Sequence, residues 1–122
     1  MPEIGDRVGA IRSMDEEHVE LFGYGVYLGR EVPPDNILRA FWGYKDRGEL
    51  LAQVNEIYAE LGIRPASNEE LEAAISLRFA NPKIQLDSGL IVWGCESWWG
   101  PEAEVRARIA GREVVLVKPT LA

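Results

Sequence analysis

Glycine recurs at alternate positions through the stretch of this chain richest in strand-forming residues, and that run constrains the fold more than any other feature. From His18 to Val32, Phe22, Tyr24, Val26 and Leu28 fall on one side of an extended chain. Leu21, Gly23, Gly25, Tyr27 and Gly29 fall on the other. One face is therefore almost bare. Such a strand predicts sharp bending, a bulge, or close approach of another backbone or ring, as where a sheet curls or a small barrel turns a corner. Pro33 and Pro34 end the run because neither can donate to a ladder.

Around this strand the periodicity changes twice. Before it, Arg7 to Arg12 reads as a short strand and the polar run Ser13 to His18 as a turn. After it, Asp35 is placed to cap a short helix through Ile37, Leu38 and Phe41. Leu50, Leu51, Val54, Ile57, Tyr58 and Leu61 recur at helical spacing, with Gly62 at a left-handed C-cap position. Ser67 and Glu70 form a capping box that opens a second helix bearing Leu71, Ala74, Ile75 and Phe79, and Asn81-Pro82 stops it. These two helices predict an antiparallel hairpin.

Period 2 then returns. Ile84 and Leu86 alternate with Lys83, Gln85 and Asp87, and Asp87-Ser88-Gly89 reads as a hairpin turn into a buried strand from Leu90 to Glu96. Trp98-Trp99-Gly100-Pro101 reads as an interruption of the ladder. Ala103, Val105, Ala107 and Ile109 alternate with Glu102, Glu104, Arg106 and Arg108, which predicts a strand. Ala110-Gly111-Arg112 would then turn it into a last strand from Glu113 to Lys118. The expected class is α+β, a small curled antiparallel sheet or SH3-like barrel with a two-helix insertion. It is read as one domain over 1–122, with sheet segments at 5–32 and 83–118 and the insertion at 34–81.

At fold level, Gly5-Asp6-Arg7-Val8, the long bent second strand and the later hairpins resemble SH3-like barrels. At sequence level, the segments Leu21-Phe22-Gly23-Tyr24-Gly25-Val26-Tyr27-Leu28-Gly29, Asn81-Pro82-Lys83-Ile84 and Val92-Trp93-Gly94-Cys95-Glu96 resemble a family of uncharacterised bacterial proteins. That resemblance covers most of the sheet and implies no particular activity.

Charge and rare residues exclude several function classes. A formal net charge of -7 repels phosphate backbones on average and argues against general nucleic-acid binding. Met1 to Arg12 carries Glu3 and Asp6 and has no apolar core of a signal peptide, and the apolar runs Leu90–Trp93 and Val114–Val117 are too short to span a bilayer. The expectation is a cytoplasmic protein with no membrane association, and the lone Cys95 agrees with a reducing compartment. One Cys and one His cannot build a zinc cluster, so no metal or cofactor is expected.

Four constellations are candidate sites. Cys95 and His18 are the one combination from which a thiolate and an imidazole base could be assembled, although an apolar strand suits an inert thiol. Asp87 and Glu96 flank a hairpin and could divide acid and base roles if their environments differ. Gly23, Gly25 and Gly29 resemble a phosphate loop, but no helix N-terminus follows them. The strongest candidate is aromatic: Trp42 and Tyr44 lie among Arg39, Lys45 and Arg47, while Trp98 and Trp99 sit together between strands. Adjacent tryptophans in an extended chain cannot both enter one core. The basic group would favour an acidic or phosphorylated partner. The expected function is a non-enzymatic binding module for a protein or small ligand, with a small enzyme at Cys95/His18 or Asp87/Glu96, or a self-associating homo-oligomer, as alternatives.

Overall fold

The glycine run is the longest strand of the sheet. The structure, a computed structural model describing residues 2–63 and 67–119, has the order β1 (Arg7–Met14), β2 (His18–Glu31), α1 (Asp35–Trp42), α2 (Arg47–Glu60), α3 (Asn68–Phe79), β3 (Asn81–Leu86) and β4 (Ile91–Trp93). A 3-10 turn (Gly94–Glu96), β5 (Trp98–Pro101), α4 (Glu102–Ile109) and β6 (Glu113–Leu116) complete it. The class is α+β. The strands run β4-β3-β2-β1-β5, with β6 joined to β2, and the sheet is not closed into a barrel. By its internal contacts the chain divides into a sheet unit, Met1–Arg30 with Asn81–Ala122, and a helical unit, Glu31–Ala80.

The bare face of β2 is used in two ways. At Gly25 the backbone of β3 comes so close that a Cβ would lie 2.1 Å from the Gln85 carbonyl oxygen. At Gly23, φ is 138°, and the pairing with β1 slips there: Ala10 opposes Gly23 but Ile11 opposes Leu21, leaving Phe22 as the extra residue of a bulge. A second irregularity, between Ile11 and Ser13, leaves Arg12 extra on β1.

Two apolar clusters hold the sheet unit. Val8, Ala10, Phe22, Ile84, Leu86 and Val92 form one, with Tyr27, Leu90, Trp99 and Val117 packed against it. Ile11, Val19, Leu21, Val105 and Ile109 form the other, joined by Tyr24. The helical unit has its own core of Leu38, Leu50, Ile75 and Phe79. Two of its helices have side-chain caps: Asp46 accepts the Glu49 N–H ahead of α2, and Ser67 accepts the Glu70 N–H ahead of α3. Gly62, at φ 73°, follows α2 as the left-handed residue.

Several sequence expectations are corrected. The short helix expected after Pro34 forms as Asp35–Trp42, closed by Gly43 at φ 76°, so the insertion holds three helices and not two. Asp35 does not cap it, because Pro34 stands at the N-cap and Asp35 is already the first helical residue. Ala103–Ile109 is not a strand but most of α4. Its alternation counted Ala103 and Ala107, which are exposed, whereas Val105 and Ile109, four residues apart, carry the buried face. Glu102 and Glu104 in the first turn and Arg106 and Arg108 in the last also suit the helix dipole. Trp98–Pro101 does not interrupt the ladder; it is β5, antiparallel to β1. Ala110–Arg112 is a helix-to-strand loop rather than a hairpin turn, and β6 pairs parallel to β2, so the sheet is not wholly antiparallel. The strand expected from Leu90 to Glu96 stops at Trp93, where Gly94 packs so closely on Pro82 that a Cβ would lie 2.7 Å from its ring.

Candidate functional site

One row of side chains crosses four strands of the sheet. Trp98 on β5 opposes Ile11 on β1, Ile11 opposes Leu21 on β2, and Leu21 opposes Leu116 on β6. Opposed residues share a face, so all four point to the side on which α4 lies. That helix covers the middle of the row with Val105 and Ile109. Its ends are treated differently.

At the β5 end, Trp98 is 43% exposed and the Arg108 guanidinium stacks over its ring at 4.5 Å. On the other flank of α4, Arg106 stacks over Tyr24 at 4.1 Å and approaches Glu102 at 3.6 Å. The helix thus straddles β1 with an arginine reaching an aromatic ring on each neighbouring strand. Trp99, one residue along, turns to the opposite face and stacks on Tyr27 at 5.2 Å with the rings 12° apart.

At the β6 end none of the described residues covers the row. Val114, Val115 and Leu116 are 40%, 52% and 73% exposed. The Glu113 N–H donates to Glu17 O at 2.8 Å and the Val117 N–H to Leu21 O at 2.9 Å, so odd-numbered residues face β2. Val114 and Leu116 therefore turn their N–H and C=O groups to the outer edge, where no strand pairs among the described residues. The other edges carry protection. The outermost strand β4 is three residues long, and β5 ends in Pro101 with Arg108 over its tryptophan. Sequence reasoning placed a strand at Glu113–Lys118 but attached no function to it. The available signal was the unbroken apolar run Val114-Val115-Leu116-Val117, unusual for an edge.

The aromatic and basic residues singled out in the helical unit are largely engaged within it. Trp42 and Tyr44 meet the Phe79 ring edge-on at 5.8 and 5.6 Å. Arg39 donates to the Lys45 carbonyl at 3.2 Å, and the Lys45 N–H donates to the Glu49 carboxylate at 3.0 Å. Arg47 makes a two-pronged ion pair with Glu72, which raises its pKa and lowers that of the carboxylate. A small hollow of about 30 Å³ lies beside Tyr44 and Phe79, lined also by Leu50, Val54 and Arg78. It has room for little more than a water.

Cys95 and His18 have separate surroundings. Cys95 is half-buried in the 3-10 turn, and burial, followed by the neighbouring Glu96 charge, pushes its thiol up to about 11. His18 is exposed at the start of β2, with Nδ1 3.5 Å from Asp15 and Nε2 3.4 Å from Glu113. Asp87 and Glu96 do differ in environment. Arg7 binds both Asp87 oxygens, at 2.6 and 2.7 Å, and holds that carboxyl below its ordinary range. Burial raises Glu96, partly offset by the Trp93 N–H donating to Oε2, while Oε1 is buried with no partner among the described residues. Both Asp87 oxygens are thus committed to an ion pair that extends to Glu102.

No helix among the described residues is long and apolar enough to cross a membrane. No three His, Cys, Asp or Glu side chains among them converge as a metal site requires. No protein-family model matches the chain, and neither a curated protein nor a solved structure is significantly similar to it.

Proposed function

We propose that this protein is an interaction module that binds by accepting an extended strand at the outer edge of β6. The observation that carries the reading is the exposure of Val114, Val115 and Leu116 in a strand whose outer N–H and C=O groups, at Val114 and Leu116, are unpaired among the described residues. An added strand would gain main-chain hydrogen bonds from those two residues, and pockets for alternate side chains beside them. It would also extend the apolar row that ends at Leu116. A raised Cys95 thiol pKa and the engagement of Asp87 by Arg7 favour binding over nucleophilic or acid-base chemistry.

A peptide of alternating valine and lysine is a suitable probe, because its cations suit the overall charge of -7 and Glu113 on this strand. Titrated into the labelled protein, it is expected to shift the amide resonances of Val114 and Leu116 first. Val114→Pro removes one outward N–H and spares the bonds to β2, so in that variant the Leu116 amide should no longer shift with peptide. Shifts confined to other surfaces, or none at saturating peptide, would overturn the reading.

A further inference from the structure

We infer that the strand accepted at β6 is the β6 of a second copy, paired antiparallel about a twofold axis through Val115; this rests on the strand-accepting role proposed above. Antiparallel pairing joins residues whose N–H and C=O groups both point across the gap. In β6 those are Val114 and Leu116, and the twofold through Val115 sets Val114 of each copy against Leu116 of the other. Both outward residues of both copies are then paired. The same register opposes the two Val115 side chains and sets Glu113 against Val117, so no like charges meet within the strand itself.

The two faces of β6 favour this occupant. Val114 and Leu116 lie beside Val19 and Leu21, which belong to the cluster under α4. Val117 packs on the opposite cluster with Phe22. A second β6 therefore continues apolar surface on both faces with residues of the same kind. Because β4 is short and β5 carries Pro101 and the Arg108 stack, the pairing has one edge per copy and closes at two. A net charge of -7 on each copy opposes the encounter, so the association should tighten as salt screens it.

The full chain, sedimented from low micromolar to near-millimolar concentration, is expected to pass from monomer to dimer, with the midpoint moving lower in higher salt. Val114→Pro and Val115→Lys should both remain monomeric, the second because two lysines would face one another across the axis, while circular dichroism stays unchanged. Val115 is the non-hydrogen-bonded residue on the axis, where paired Cα atoms lie about 4.5 Å apart, within the reach of a disulfide. With Cys95→Ala as background, Val115→Cys should oxidise to a covalent dimer about tenfold faster than Val114→Cys or Leu116→Cys. A monomer at every concentration, a dimer indifferent to both Val114→Pro and Val115→Lys, or equal crosslinking at the three positions would overturn the inference. If the chain stays monomeric but the valine-lysine peptide still shifts Val114 and Leu116, self-pairing falls and strand acceptance stands; if the peptide also fails, both fall.

Discussion

Phe22 and Tyr24 lie two residues apart in one strand, yet their rings enter different cores. Phe22 packs with Ile84, Leu86 and Val92, whereas Tyr24 lies with Leu21 and Val105, with Arg106 over its ring. In an uninterrupted strand residues i and i+2 share a face. The bulge at Phe22 and Gly23 inserts one residue, and from there on each side chain of β2 exchanges faces. Tyr24 is thereby brought opposite Gly9, whose missing side chain leaves room for the ring: a Cβ there would lie 2.9 Å from Tyr24 Cδ1.

Gly25→Ala should be the most damaging substitution of the glycine run. Its methyl would meet backbone of β3, the Gln85 carbonyl, which cannot rotate away as a side chain could. A loss of about 3 kcal/mol is expected in urea unfolding, the upper part of the range for overpacking. Gly23→Ala meets no atom closer than 3.8 Å and strains the backbone alone, so it should cost less.

The two arginine stacks of α4 should be separable. Arg108→Ala uncovers Trp98 and should raise quenching of its fluorescence by acrylamide, with a stability loss of about 0.5–1 kcal/mol, typical of an exposed cation–π contact. Arg106→Ala removes the Tyr24 stack together with the Glu102 ion pair and should leave Trp98 quenching unchanged.

Cys95 should react with iodoacetamide slowly at neutral pH in the folded protein, and the rate should rise through a midpoint near 11, well above that of an ordinary thiol. The folded state favours the protonated thiol. Its contribution to stability is therefore fully present below the ordinary thiol value and declines as pH rises through the folded one. Cys95→Ala should remove that alkaline decline. A midpoint at the ordinary thiol value would show that burial does not govern this group.

Glu96→Gln should stabilise the protein at neutral pH, because it removes a half-buried charge while keeping an oxygen for the Trp93 N–H; the gain should stay small, since the amide nitrogen takes the unpartnered place of Oε1. The sign follows from the raised pKa. A carboxyl that holds its proton more tightly when folded favours the folded state at pH values below its ordinary range, and this advantage fades as pH rises through the folded value. Thermal unfolding of the variant against pH should lack that segment of the profile.

What could be read before the structure was local. Ser67 and Glu70 marked the start of α3, and Gly62 marked the end of α2, because cap chemistry depends on a few neighbouring residues. The tight fit at Gly25 was also foreshadowed, since a strand face without side chains is useful chiefly where something comes close. The aromatic pair at Trp98 and Trp99 divides between two faces for an equally local reason, the alternation of an extended chain.

Other features depended on tertiary partners. Glu102–Ile109 satisfies both a two-residue and a four-residue pattern, and the helix prevails where Val105 and Ile109 can reach the cluster beneath α4. The phase of β2 after Phe22 depends on a bulge that only the pairing with β1 defines. The proposed surface is the least legible of all. Val114, Val115 and Leu116 look like core residues in the sequence, and whether such a strand lies inside a sheet or at its rim depends on which neighbours the rest of the chain supplies. The sequence by itself determined the α+β class, the Ser67 start of α3, the Gly62 end of α2 and the need for a bare strand face, because these follow from residues close together. Tertiary structure decided which faces are buried and which edge is left open, because burial and pairing belong to the assembled sheet.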